Sequence, residues 1–105
     1  MKERYFAIAQ KMKEALSKDV PIISLRIFGS CAREEEEFDS DMDVFIEVET
    51  LNQQAKKHIR YISWQIGLDT ETVISPLIFS RDEIENSPLR LSSIVQNILR
   101  EGIAI

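Results

Sequence analysis

Hydrophobic residues along this chain follow two rhythms. Over residues 3–17 they recur at three- and four-residue steps: Tyr5, Ile8, Ala9, Met12, Ala15 and Leu16, with Lys and Glu between them. That is the stripe of an amphipathic helix. Asp19-Val20-Pro21 ends it, since proline cannot continue a helical ladder. From Ile22 to Phe28 the period falls to two, and Ile23, Leu25 and Ile27 share one face of a predicted strand. Gly29-Ser30 breaks that strand, Cys31-Ala32-Arg33-Glu34 suits the start of a short helical turn, and residues 34–40 read as polar loop. Alternation returns at 42–48. Met42, Val44, Ile46 and Val48 point one way, and Asp41, Asp43, Phe45 and Glu47 point the other.

The second half repeats the two rhythms. Thr50-Leu-Asn-Gln53 matches a capping box, which predicts a helix from Leu51. Its apolar stripe is Leu51, Ala55, Ile59, Ile62 and Ile66, with Gly67 suited to its C-terminal cap. Residues 71–79 are β-branched and apolar, a third strand. Ser80-Arg-Asp-Glu83 is a second capping box, opening a short helix. Ser87-Pro88 places a capping serine before a first-turn proline, and a final helix follows over 89–101 with Leu91, Ile94, Val95, Ile98 and Leu99 inward. The order α-β-β-α-β-α predicts an α/β (α+β) domain, a mixed sheet with flanking helices.

Composition narrows the possibilities. A length of 105 residues suits one domain spanning 1–105. With 44% hydrophobic residues a core can form, so wholesale disorder is not expected. No apolar run approaches the roughly 18 residues of a membrane span. Met1-Lys2-Glu3-Arg4 enters a mixed-charge segment rather than the apolar core of a secretion signal, so the expected location is the cytoplasm. A single cysteine, Cys31, excludes an internal disulfide framework and a cysteine-based zinc cluster. The net charge of −5 is uneven: nine acids lie between Glu34 and Glu49 with no Lys or Arg among them, leaving +4 for the rest. An acidic surface repels phosphates, which disfavours non-specific nucleic-acid binding.

That acidic window contains the most informative segment. Phe28-Gly29-Ser30-Cys31-Ala32-Arg33 follows a strand; ten residues separate Gly29-Ser30 from Asp41-Met42-Asp43, which enters the next. Gly29 allows a tight turn and close approach of backbone to a ligand. Ser30 brings a hydroxyl to a helix N-terminus, where N–H groups favour anions. Asp41 and Asp43, two apart on a strand, face one side and suit Mg²⁺, which takes carboxylates together with substrate phosphates. Arg33 is placed either beside the same anion or in a salt bridge to its own glutamate run. Four fixed positions at about 6% each recur by chance about once in a thousand chains of this length. A strand-ending turn and solvated acids are therefore the weaker reading of these residues.

On these residues the chain resembles the minimal nucleotidyltransferases of the polymerase-β-like superfamily, whose signature is Gly-Ser, ten residues, Asp-x-Asp. The stretches "FGSCAR", "SDMDVFIEV", "ISPLIFSRDEIE" and "SIVQNILREGIAI" carry the resemblance over most of the chain. It implies a polymerase-β-like fold and Mg²⁺-dependent transfer of AMP from ATP. The nucleotide would be held by Gly29, Ser30 and Arg33, and Asp41 and Asp43 would act as metal ligands and catalytic residues. It further implies a HEPN-domain toxin as partner, with AMP placed on a tyrosine of that toxin and this chain as the antitoxin. Two positions depart from the family pattern. Glu34 stands where a glycine is common, and Ser75 stands where active relatives carry a third carboxylate. Glu71 takes that place only in a different strand register. A serine is neither an anionic ligand nor a base, so a partner-blocking module without turnover stands as the alternative. Transfer to a small acceptor such as an aminoglycoside ranks lower, because such enzymes usually carry an additional acceptor domain.

The remaining polar and aromatic residues have plainer readings. Cys31 is a small packed residue, and His58 lies on a helix surface beside Lys57 and Arg60. Tyr61 and Trp64 serve helix packing or a partner contact rather than base stacking. The Glu34–Glu37 run is a solvated loop or a contact for a basic partner. Base preference, acceptor and homo-oligomeric state stay open.

Overall fold

The computed structural model describes residues 1–35 and 41–105. Residues 36–40, the second part of the expected polar loop and of the acidic run, lie outside the described residues. Helix α1 (Glu3–Ser17) buries Tyr5, Ile8, Ala9, Met12 and Leu16, the stripe its spacing predicts. Strand β1 (Ile22–Phe28) leads into the one-turn helix α2 (Gly29–Ala32), and β2 (Met42–Val48) follows. Helix α3 (Gln53–Thr70) connects β2 to β3 (Ile74–Ser80). Then come α4 (Arg81–Asn86), a 3-10 turn (Pro88–Leu91), α5 (Ser93–Glu101) and a short β4 (Ile103–Ala104).

The four strands form one mixed sheet in the order β3-β2-β1-β4. β1 runs antiparallel to β2 and to β4, while β2 and β3 run parallel, as a helical crossover requires. Alternation along β2 sorts the two faces. Met42, Val44, Ile46 and Val48 join Leu25, Ile27, Met12, Leu16 and Ile59 in the core under α1 and α3. On the other face Phe45 is also fully buried, packed with Ile84, Val95 and Ile98 of α4 and α5. The mixed sheet with flanking helices is therefore present, with both faces covered.

Several expected boundaries are corrected. The α3 cap is Asn52, whose side chain accepts from the Ala55 N–H at 2.8 Å, and not Thr50. Asparagine caps at least as well as threonine, and starting two residues later leaves Leu51 to pack on the core. Gly67 does not end α3, which continues one turn until Glu71 caps it in the left-handed region (φ 53°, ψ 41°). Gly67 serves close approach instead, since a Cβ there would lie 2.5 Å from the Thr72 carbonyl oxygen. The third strand accordingly starts at Ile74, not Glu71.

The expected final helix over 89–101 is interrupted. Ser92 takes an extended conformation and accepts from the Val95 N–H at 3.5 Å, restarting the helix at Ser93. Val95 and Ile98 point inward as expected and Leu99 is half-buried. Leu91, in the 3-10 turn before the break, and Ile94, on the outer side of α5, are 72% and 64% exposed, contrary to expectation. The second capping box, on Ser80 and Glu83, forms in full. Among the described residues no helix is long and apolar enough to cross a membrane.

Candidate functional site

The antiparallel register sets Phe28 opposite Asp43, so the turn that leaves β1 lies beside the start of β2. Gly29 occupies that turn with φ +73°, a conformation that side chains other than glycine's resist. A Cβ on Gly29 would also fall 2.5 Å from Asp43 Oδ2. The glycine is thus favoured by its own backbone, and a side chain there would displace the Asp43 carboxylate. Ser30 sits in the single turn of α2, followed by Cys31, which is fully buried as expected of a packed residue. The Cys31 thiol points to the Asp41 carbonyl oxygen at 3.7 Å, tying the Gly-Ser half of the motif to the Asp-x-Asp half.

Asp41 is exposed immediately before β2, and Asp43 is half-buried within it. Burial pushes the Asp43 carboxyl above its ordinary range; the charge of Asp41 adds to this, and Arg33 opposes it. Two carboxylates that repel each other beside the Gly29 turn are a donor set for a hard divalent cation. These residues fit Mg²⁺ in their chemistry, and Asp41 and Asp43 are the carboxylates that could hold it.

Directly across the parallel ladder, Ser75 is the register partner of Asp43 and lies on the same sheet face. Glu71 is excluded from that place, since it caps α3 outside the strand. Among the described residues no group of three His, Cys, Asp or Glu gathers to hold a metal. Arg33 donates from Nε to Glu35 at 3.0 Å, the glutamate-run salt bridge that was one of its two expected places. Both partners are largely exposed, so water competes strongly with the pair and Arg33 is readily re-aimed toward an anion.

Arg33 also lines a cleft of about 180 Å³ that runs from Phe28 and Gly29 to Ile94, Asn97 and Glu101 of α5. Sequence reasoning missed this wall. The available signal was the pair of apolar residues Ile103 and Ile105 beyond Gly102. β4 pairs with Arg26 and Ile27, bringing the end of α5 against the Gly29 turn.

With this geometry in place, the family comparison is decisive. A model described as a nucleotidyltransferase domain matches residues 9–105. The chain belongs to that family. A nucleotidyltransferase domain moves a nucleotidyl group from a nucleoside triphosphate to an acceptor, and the Gly29 turn beside two carboxylates suits the phosphate end of such a donor. A solved structure described as "Crystal structure of the toxin-antitoxin with AMP-PNP" is similar in fold, with a TM-score of 0.62. It is 18% identical, and the match covers 91% of this chain and 70% of that one. No curated protein sequence matches the chain.

Proposed function

We propose that this nucleotidyltransferase domain transfers AMP from ATP to a tyrosine hydroxyl of a HEPN-domain toxin, acting as its antitoxin in the cytoplasm. The observation that carries this reading is the contact of Asp43 with the left-handed Gly29 turn, since it sets a carboxylate pair against a phosphate cradle. The backbone amides at Gly29 and Ser30 orient the triphosphate, and Arg33 exchanges Glu35 for a phosphate oxygen. Asp41 and Asp43 would hold Mg²⁺, which when bound would supply charge neutralisation to the phosphates and the leaving group. The acceptor hydroxyl attacks the α-phosphorus, its proton leaves to solvent, and pyrophosphate departs. Positioning and electrostatics do most of this work.

A protein acceptor is favoured by the rim of the site. Ile94 lies exposed in the wall of the cleft, where a partner's apolar surface can cover it. The fold likeness to a toxin-antitoxin structure with AMP-PNP supports the same direction. The test is incubation of this chain and a purified HEPN-domain partner with labelled ATP and Mg²⁺. Label on a partner tyrosine is expected, and it disappears with Asp41→Asn/Asp43→Asn. An unlabelled partner overturns the proposal.

Ser75 opposite Asp43 favours a second reading, neutralisation of the partner by binding without turnover. Two results separate the readings. Under this one, Asp41→Asn/Asp43→Asn still neutralises the partner. Ser75→Asp, which supplies a carboxylate on the right face, then raises transfer above the wild-type level.

A further inference from the structure

Away from the site, α3 carries an apolar stripe that stays uncovered among the described residues. Trp64 and Leu68 are 61% and 60% exposed, Tyr61 and Val73 are similarly open, and the Trp64 and Tyr61 rings lie 6.2 Å apart. Trp64, Leu68 and Val73 border, with Pro76 of β3, a groove of about 550 Å³. Four large apolar side chains gathered in the open mark an interaction surface.

The ends of the groove indicate the occupant. Arg60 lies at one end of the stripe and Glu71 at the other. At 100° per residue, Arg60, Trp64 and Leu68 fall on one side of α3, and Glu71, the residue that caps the helix, lines the same groove. Among the described residues neither Arg60 nor Glu71 is in an ion pair. A stripe reading Arg, Trp, Leu, Glu is complementary to itself when reversed. A two-fold axis beside Gln65 and Ile66 sets Arg60 opposite Glu71 and Trp64 opposite Leu68, twice over, as an isologous contact demands. Strand addition at the neighbouring β3 edge is hindered, because Pro76 has no N–H to offer.

We propose that this groove is where a second copy of the chain docks, α3 against α3 in antiparallel pairing. The aromatic and aliphatic centre supplies the affinity, and the two Arg60–Glu71 pairs fix the direction.

The test is sedimentation of the purified chain over roughly 1–200 μM, a range that spans modest dimer affinities. Twice the 12.1 kDa chain mass is expected at the upper end. The emission of Trp64, the only tryptophan, should move to the blue as dimer forms. Trp64→Glu should weaken association at least about tenfold, as removal of a central aromatic anchor does, with unchanged circular dichroism. Arg60→Glu and Glu71→Arg should each weaken self-association, by roughly three- to tenfold. A mixture of these two variants should dimerise again, since each then meets its opposite charge in the other. That rescue does not arise from misfolding. A monomer throughout the range overturns the proposal, as does failure of the mixture to associate. It is overturned equally if Trp64 emission shifts only when a different protein is added.

Discussion

The two faces of β2 use the same backbone for opposite ends. On the face under α1 and α3, Met42, Val44, Ile46 and Val48 are all fully buried among aliphatic side chains. On the other face Phe45 alone is apolar, and Asp43 and Glu47 stand on either side of it. Burial raises the pKa of both carboxyls. Near Glu47 the Ser24 hydroxyl and Arg26 Nε are buried without a hydrogen-bond partner among the described residues. One face holds the fold together. The other carries charge at some expense of stability, which is what a binding face requires.

Substitutions on the two faces should therefore fail in different ways. The largest effect is expected for Asp41→Asn/Asp43→Asn. Nucleotide transfer should fall at least about a hundredfold, the upper range for residues that only support a metal ligand, while circular dichroism stays native. Ile46→Ala, one face over, should cost about 2–5 kcal/mol, a large share of a total of roughly 5–15 kcal/mol. A urea titration measures it, and the remaining folded fraction should bind nucleotide normally. If Ile46→Ala kept its stability, or the double Asn variant unfolded, the division between the faces would be wrong.

Gly29→Ala tests the point where the faces meet the turn. An alanine must adopt φ +73° at a cost of about 1–2 kcal/mol and meet Asp43 Oδ2 at 2.5 Å. A moderate fall in melting temperature is expected together with a loss of transfer, since Asp43 has to move. A stability loss with transfer intact would show that the close approach serves the turn alone.

The contrast between the faces also explains what could be read from sequence. Burial on the α1/α3 face leaves a periodic trace, so β1, β2, α1 and the body of α3 were legible from apolar spacing. The candidate site residues stood out in the sequence for another reason. Gly29, Asp41 and Asp43 are residue types with few substitutes for a left-handed turn and a carboxylate pair, and the structure brings them together. Boundaries were lost where two signals compete. Gly67 has the form of a helix cap but is needed for the Thr72 carbonyl, and Asn52 outranks Thr50 as a cap. The exposed Leu91 and Ile94 fit the helical period as well as Val95 and Ile98 do; the break at Ser92 sets Leu91 apart, and only packing against Phe45 and Ile84 sets Val95 and Ile98 apart from Ile94. β4 is two residues long and has no period to detect. The Ser75–Asp43 pairing needs strand register, which spacing alone supplies only by analogy.

The smallest predicted effect is also the one with the most informative sign. Asp43 has its folded-state pKa raised from 3.8 by burial and by Asp41, so its charged form is the disfavoured one in the fold. Above the raised pKa this destabilises the metal-free protein; the penalty fades as pH falls through that pKa and vanishes below about 3.8, where both states are protonated. Asp43→Asn removes the charge and should raise the melting temperature of the metal-free protein near neutral pH, by the order of 1–2 °C for a small domain. Below the raised pKa the gain should shrink toward nothing. Adding Mg²⁺ with nucleotide should reverse the ranking, because ligand that binds only the folded wild-type site stabilises it in proportion to log concentration. A melting series with pH and Mg²⁺ as its axes reads all of this at once. If Asp43→Asn melted lower than wild type without metal, the carboxylate would be part of the scaffold. If Mg²⁺ with nucleotide left the wild type unmoved, the carboxylate pair would lose its assignment as the metal site.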